Sequence, residues 1–96
     1  GKPIYIAENG LADRSDSLRQ EFLARSLASV HRAIEDDANV KGYLHWSLLD
    51  NFEWDKGFWP CFGLVEVDRK TLARRIRPSA RYYAKICQTN SLTTPD

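Results

Sequence analysis

The sequence predicts an α/β fold built on a short parallel sheet that this chain alone is too small to cover. Three observations carry this. A continuous apolar run, Ile4-Tyr5-Ile6, lies near the start; a helical period of apolar residues fills positions 15–36; a second strand-like run follows at 40–47. Continuous apolar runs suit strands buried on both faces, as in parallel sheets. Strand, helix and strand in succession form a βαβ unit with a right-handed crossover.

The first strand covers residues 2–7 and is stopped by the turn pair Asn9-Gly10. In the helix, Leu23, Leu27, Val30 and Ile34 recur at helical spacing, flanked by Phe22 and Ala33, so one stripe faces a core. Asp13, Ser15 and Asp16 supply capping groups and negative charge near its start. Arg19, Glu21, Arg25 and Glu35 take the remaining surface. A long aromatic loop then runs over 48–61. Residues 62–68 and 72–76 read as a hairpin turned at Asp68-Arg69-Lys70. Pro78 suits the first turn of a last helix, where its missing N–H costs nothing. Tyr82, Tyr83, Ile86 and Cys87 form the packing side of that helix. The expected division is a folded segment over 1–88 and a polar, frayed tail over 89–96. There is no internal repeat.

Bulk properties exclude several functions. A net charge of +1 gives no electrostatic case for nucleic acid or an anionic membrane. Lys70, Arg69, Arg74, Arg75 and Arg77 are interrupted by Thr71, Leu72, Ala73 and Ile76, the pattern of a solvated face. No apolar run approaches the ~20 residues of a membrane span. Cys61 and Cys87 are too few for a disulfide framework and lack metal-ligand spacing. Reduced thiols favour the cytoplasm. No cofactor or metal motif is present. Gly1 does not look like a natural start and the chain holds no Met, so it reads as a piece of a longer protein.

Two groups of residues can carry chemistry. Period-two alternation puts Ile4, Ile6 and Glu8 on one strand face. A carboxylate closing an apolar face is costly unless something uses it, and in parallel folds that strand end is where sites are built. A capping or loop-bracing glutamate fits equally well. The second group is Trp46, Asp50, Asn51, Phe52, Glu53 and Trp54, directly after a strand. Aromatic rings stack on sugar C–H faces while carboxylates accept hydroxyl hydrogen bonds. An aromatic mini-core under the loop, with Phe58, Trp59 and Phe62, is the other reading. His45, on the far side of the strand from Trp46, reads as a hydrogen-bonded structural residue, with a site role as the alternative, and His31 lies on the helix as a surface or packing residue. Neither has the partners of a hydrolase triad or a metal site.

The motifs together resemble a known family. Ile6-Ala7-Glu8-Asn9-Gly10 resembles the nucleophile motif of glycoside hydrolase family 1, the β-glucosidase-like enzymes. Gly42-Tyr43-Leu44-His45-Trp46-Ser47-Leu48-Leu49-Asp50-Asn51-Phe52-Glu53-Trp54 resembles its eighth-strand signature. Phe62-Gly63-Leu64-Val65-Glu66-Val67-Asp68 and Arg77-Pro78-Ser79-Ala80 resemble its closing segments. The resemblance implies the last two βα units, strands seven and eight, of a (β/α)8 TIM barrel, incomplete without the rest. It implies residues 1–88 as the C-terminal segment of that barrel. It implies Glu8 as nucleophile, Trp46 as a platform under the sugar and Glu53 as acceptor for its outer hydroxyls. Trp54 would offer its indole N–H, and Phe62 would help shape the pocket. Because a carboxylate at Glu53 repels phosphate, an unphosphorylated β-glucoside or β-galactoside is the expected substrate. The chain departs from the pattern at Cys61, where a basic residue is common, which leaves that loop's anchoring in question and the thiol partly accessible. The loop after Glu8 is also short, as in a subgroup of the family.

Retaining hydrolysis needs two carboxylates about 5 Å apart. The family's Asn-Glu-Pro acid/base motif does not occur here, so the N-terminal part of the same barrel is the expected partner and the isolated chain is expected to be inactive. The alternatives are a non-catalytic carbohydrate-binding piece and a self-assembling barrel fragment.

Overall fold

The computed structural model describes residues 1–95. In order, the elements are β1 (Ile4–Asn9), α1 (Arg19–Glu35), β2 (Val40–His45), a 3-10 turn over Trp54–Lys56, β3 (Val65–Val67), β4 (Arg74–Ile76) and α2 (Pro78–Thr89). β1 and β2 pair in parallel, with Ile4 opposite Val40, Ile6 opposite Tyr43 and Asn9 opposite His45, and α1 is the crossover. β3 and β4 form the expected antiparallel hairpin, shorter than the sequence reading, with Val65 opposite Ile76.

The core is small. Leu23, Leu64 and Tyr82 are buried together, with Ala24, Tyr43, Ala80, Tyr83 and Ile86 packed around them. The α1 stripe fades along the helix: Leu23 is sealed, Leu27 and Val30 are half-buried, and Ile34 is exposed. Pro78 takes its place in the first turn of α2. Cys87, expected on the packing side, is exposed instead. The polar tail packs back in part, since the Tyr82 hydroxyl donates to the Thr93 carbonyl.

α1 covers one face of the parallel pair. On β1 and β2, Tyr5 (64% exposed) and Leu44 (59%) remain bare. Parallel strands are ordinarily covered on both faces, so this sheet has an unmet partner surface.

Two buried ion pairs hold the pieces together. α1 starts at Arg19, four residues later than its charge pattern suggests, because the preceding turn is used otherwise. The Asp13 carboxylate accepts the Ser15 N–H and the Leu18 N–H, and Asp16 adopts a left-handed φ of 63°. Asp16 is buried. It accepts from Arg19 Nη1 at 2.5 Å and from the Ser79 N–H and Oγ–H at 2.9 and 2.6 Å, which ties the start of α1 to the start of α2. Arg19, expected at the surface, is fully enclosed and also donates to the carbonyls of Leu11, Asp13 and Cys61. A charge is tolerated there only because it is paired and hydrogen-bonded. In the second pair, Arg77 makes a two-pronged bond to Asp50 and donates to the Gly63 carbonyl, while Asp50 accepts the Gly63 N–H.

Candidate active site

The C-terminal ends of β1 and β2 lie side by side, joined where the Trp46 N–H donates to the Asn9 carbonyl at 2.8 Å. The approach is so close that a Cβ on Gly10 would overlap the Trp46 carbonyl oxygen. Beyond Trp46 the chain turns, through a cis Trp46–Ser47 peptide bond, toward the start of the hairpin. There the Ser47 N–H bonds to the Phe62 carbonyl and the Leu64 N–H bonds to the Ser47 carbonyl. These bonds carry Phe62 to the strand ends. Gly63 is required behind it, since a Cβ would strike the backbone N of Asp50 and the carbonyl of Val65.

An open cleft of about 400 Å³ results, lined by Glu8, Asn9, Gly10, Trp46, Glu53, Trp54 and Phe62. The five residues to which the family resemblance gives site roles, Glu8, Trp46, Glu53, Trp54 and Phe62, therefore meet in one place. Two carboxylates and three aromatic rings face a common space, although Glu8 and Trp46 are 38 residues apart in sequence. Trp54 is 80% exposed and Trp46 36%, so the rings are available to a ligand.

Simple alternation misplaces Glu8. The pairing of β1 with β2 shifts register between Ile6 and Asn9. Ile6 lines a separate cavity against α1, with Val30, Ala33 and Tyr43, while Glu8 lines the cleft with Trp46. The irregularity re-aims the side chain at the strand end, a known use of such breaks. Asn9 borders both cavities and donates to the Tyr43 hydroxyl at 3.0 Å. Sequence reasoning gave Asn9 no role beyond its turn chemistry, and its motif position was the only signal.

Other members of the aromatic constellation turn away. Asp50 is buried with Arg77; burial alone would raise its carboxyl, but hydrogen bonds from Arg77 and the Gly63 N–H hold it below the usual carboxylate range. Asn51 braces the turn through the Ser47 hydroxyl and the Leu49 carbonyl. Phe52 packs edge-on against Phe58 with centroids 5.4 Å apart. Trp59 is exposed outside the cleft. Cys61, expected to be partly accessible, is buried, and its segment is anchored after all: its carbonyl accepts from Arg19 and from the Asp13 N–H.

His45 sits behind the site, half-buried, its ring 6.2 Å from that of Tyr83, with neither ring nitrogen hydrogen-bonded. Burial, reinforced by the Arg19 charge, pushes its pKa below the ordinary imidazole value. Among the described residues, no three His, Cys, Asp or Glu side chains are grouped to hold a metal ion. No helix among them is long and apolar enough to cross a membrane.

The model of glycosyl hydrolase family 1 matches residues 1–92. A β-galactosidase of Sulfolobus acidocaldarius is 46% identical over 92 residues, covering 96% of this chain and 19% of its own length. β-Glucosidase A of Acetivibrio thermocellus is 42% identical, covering 94% of this chain and 22% of its own. Among solved structures, a β-glycosidase from Pyrococcus horikoshii superposes with a TM-score of 0.94 at 48% identity, covering 97% of this chain and 22% of that one. The chain thus spans about a fifth of the length of these relatives.

Proposed function

The chain belongs to glycosyl hydrolase family 1, and on that premise we propose that it supplies strands seven and eight of a retaining β-glycosidase barrel, with the nucleophile on the first of them. Residues 1–88 form the barrel segment and the residues from 89 onward a polar C-terminal tail, of which Asp96 lies outside the described residues. The observation that carries this reading is the meeting of Glu8 with Trp46, Glu53, Trp54 and Phe62 in one cleft at the carboxyl ends of two parallel strands. That is the end where barrel enzymes build their sites.

In the proposed reaction, the Glu8 carboxylate attacks the anomeric carbon of a β-glycoside. The glycosidic C–O bond breaks, the leaving oxygen takes a proton from an acid carboxyl elsewhere in the barrel, and a glycosyl ester forms on Glu8. The acid carboxyl, left as a carboxylate, then deprotonates a water that displaces the sugar and restores Glu8. Trp46 supports the sugar ring, Trp54 offers its indole N–H, Phe62 closes the pocket, and Glu53 accepts the outer hydroxyls. The terminal sugar is an unphosphorylated β-glucose or β-galactose. With no second carboxylate in the acid position, the chain by itself does not turn over substrate.

The test combines this chain with the remaining strands of the barrel and adds a 2-deoxy-2-fluoro-β-glucoside, which traps the ester. One added sugar on the peptide containing Glu8, lost in Glu8→Gln, is the expected result. Turnover by the assembled barrel with no sugar on that peptide would reject Glu8 as nucleophile. Sugar binding by the isolated chain without any turnover in the barrel would favour a carbohydrate-binding piece.

A further inference from the structure

We propose that Arg69, in the turn between β3 and β4, is a positioning residue for the sugar cleft, because it bolts shut the loop that carries Glu53 and Trp54. The proposal rests on the reading of the cleft given above.

The loop closes on itself at its neck. The Glu53 N–H donates to the Gly57 carbonyl at 2.7 Å, and the residues on either side of that bond, Phe52 and Phe58, pack edge to face. Gly57 reverses the chain with a φ of 68°. Arg69 reaches this neck from another element. Its guanidinium lies 4.6 Å from the centre of the Phe58 ring, and its Nη2 donates to the Asp50 carbonyl just before the loop. One planar cation therefore holds both ends, stacking on the outgoing strand of the loop and bonding to the incoming one. Arginine suits this double task because its flat fork stacks and donates at once.

Arg69 does not touch the cleft. The cavity it lines, with Arg14, Phe58, Cys61 and Lys70, shares no residue with the cleft that holds Glu8 and Trp46. Nor does the hairpin need its side chain. The turn is closed by the Asp68 carboxylate, which accepts the Lys70 and Thr71 N–H groups, and by the Asp68 N–H bonded to the Ala73 carbonyl. Removing the Arg69 side chain should therefore loosen the loop and leave the hairpin intact.

The test grafts residues 1–92 in place of the matching segment of the Pyrococcus horikoshii β-glycosidase and compares wild type, Arg69→Ala and Arg69→Lys. Hydrogen exchange at the Glu53, Lys56 and Gly57 amides is read together with kinetics on an aryl β-glucoside. In Arg69→Ala, those three amides should exchange faster while the β3–β4 amides do not. KM should rise roughly tenfold, the loss of about one positioned contact, with kcat changed much less. Arg69→Lys should recover part of the KM but not all. In a Glu53→Ala background, Arg69→Ala should add little further, since both changes remove one interaction. Unchanged loop exchange in Arg69→Ala overturns the proposal whatever the kinetics show. Full additivity with Glu53→Ala also overturns it, because the arginine then acts elsewhere. If the wild-type graft has no glycosidase activity, the reading of the cleft fails, and the exchange measurement still decides the role of Arg69.

Discussion

Asp50 and Arg77, 27 positions apart in sequence, meet as a two-pronged ion pair, Nη1 to Oδ1 at 2.8 Å and Nη2 to Oδ2 at 3.0 Å. The pair is almost free of solvent, at 7% and 5% side-chain exposure. It joins the turn after β2 to the start of α2, and through Gly63 to the segment carrying Phe62.

Removing one partner leaves the other charge buried and alone. Arg77→Ala or Asp50→Ala should each destabilise the complete protein by about 3–5 kcal/mol, the usual cost of such an orphan. The double variant should lose clearly less than the sum of the two. Urea unfolding of the three variants tests this, and a loss under about 1 kcal/mol for either single variant would show the pair to be dispensable.

Acid should weaken the fold in two stages. His45 is held below the ordinary imidazole value of 6.5, so the folded state binds its proton less well than the unfolded chain. Its contribution is complete above that value and is lost as pH falls through the lower folded value. Asp50, held below the ordinary 3.8, adds a second loss only near and below that pH. Stability measured at pH 7.5 and 5.5 should therefore drop in the wild type and stay flat in His45→Gln. His31, exposed on α1 beside Glu35, serves as the control position.

Gly10→Ala should damage the cleft more than its size suggests. The new Cβ would overlap the Trp46 carbonyl, a backbone atom that cannot swing aside. A shift of Trp46 by about 1 Å is enough to lower kcat/KM on the order of 100-fold. Gly42→Ala is the comparison, because there the new methyl meets the side-chain ring of Tyr5 rather than a backbone atom. Equal effects from the two substitutions would sink the argument.

Glu53 should govern discrimination against phosphorylated sugars. With a carboxylate in the cleft, a 6-phosphoglycoside meets like charge, worth several kcal/mol. Glu53→Ser should lower kcat/KM on an aryl β-glucoside and raise the 6-phosphoglucoside-to-glucoside ratio by roughly tenfold or more. An unchanged ratio would place the carboxylate away from that end of the sugar.

Local chemistry made most of the fold readable. The turn at Asp68 and the proline opening α2 each act over a few residues and stand where sequence placed them. By contrast, β1 lies two residues later than read, and the α1 stripe is covered only as far as Val30. What escaped reading depends on partners far away in the chain. Arg19 looks like a surface residue until the Cys61 carbonyl and Asp16 are brought to it. Asp50 sits among sugar-binding residue types, yet Arg77 claims it. Glu8 was picked out correctly as a strand-end carboxylate, but its direction follows from a register shift that no period-two count contains. The cleft was legible as a set of residues and not as a geometry.

The bare pair of β1 and β2 has a consequence for this segment wherever no other strand covers it. Each outer edge of that pair offers unsatisfied backbone donors and acceptors next to Tyr5 and Leu44, a template to which a strand from any neighbouring molecule can attach. Separated from any covering strand, copies of this segment would therefore pair edge to edge as concentration or temperature rises, before any residue of the cleft is disturbed.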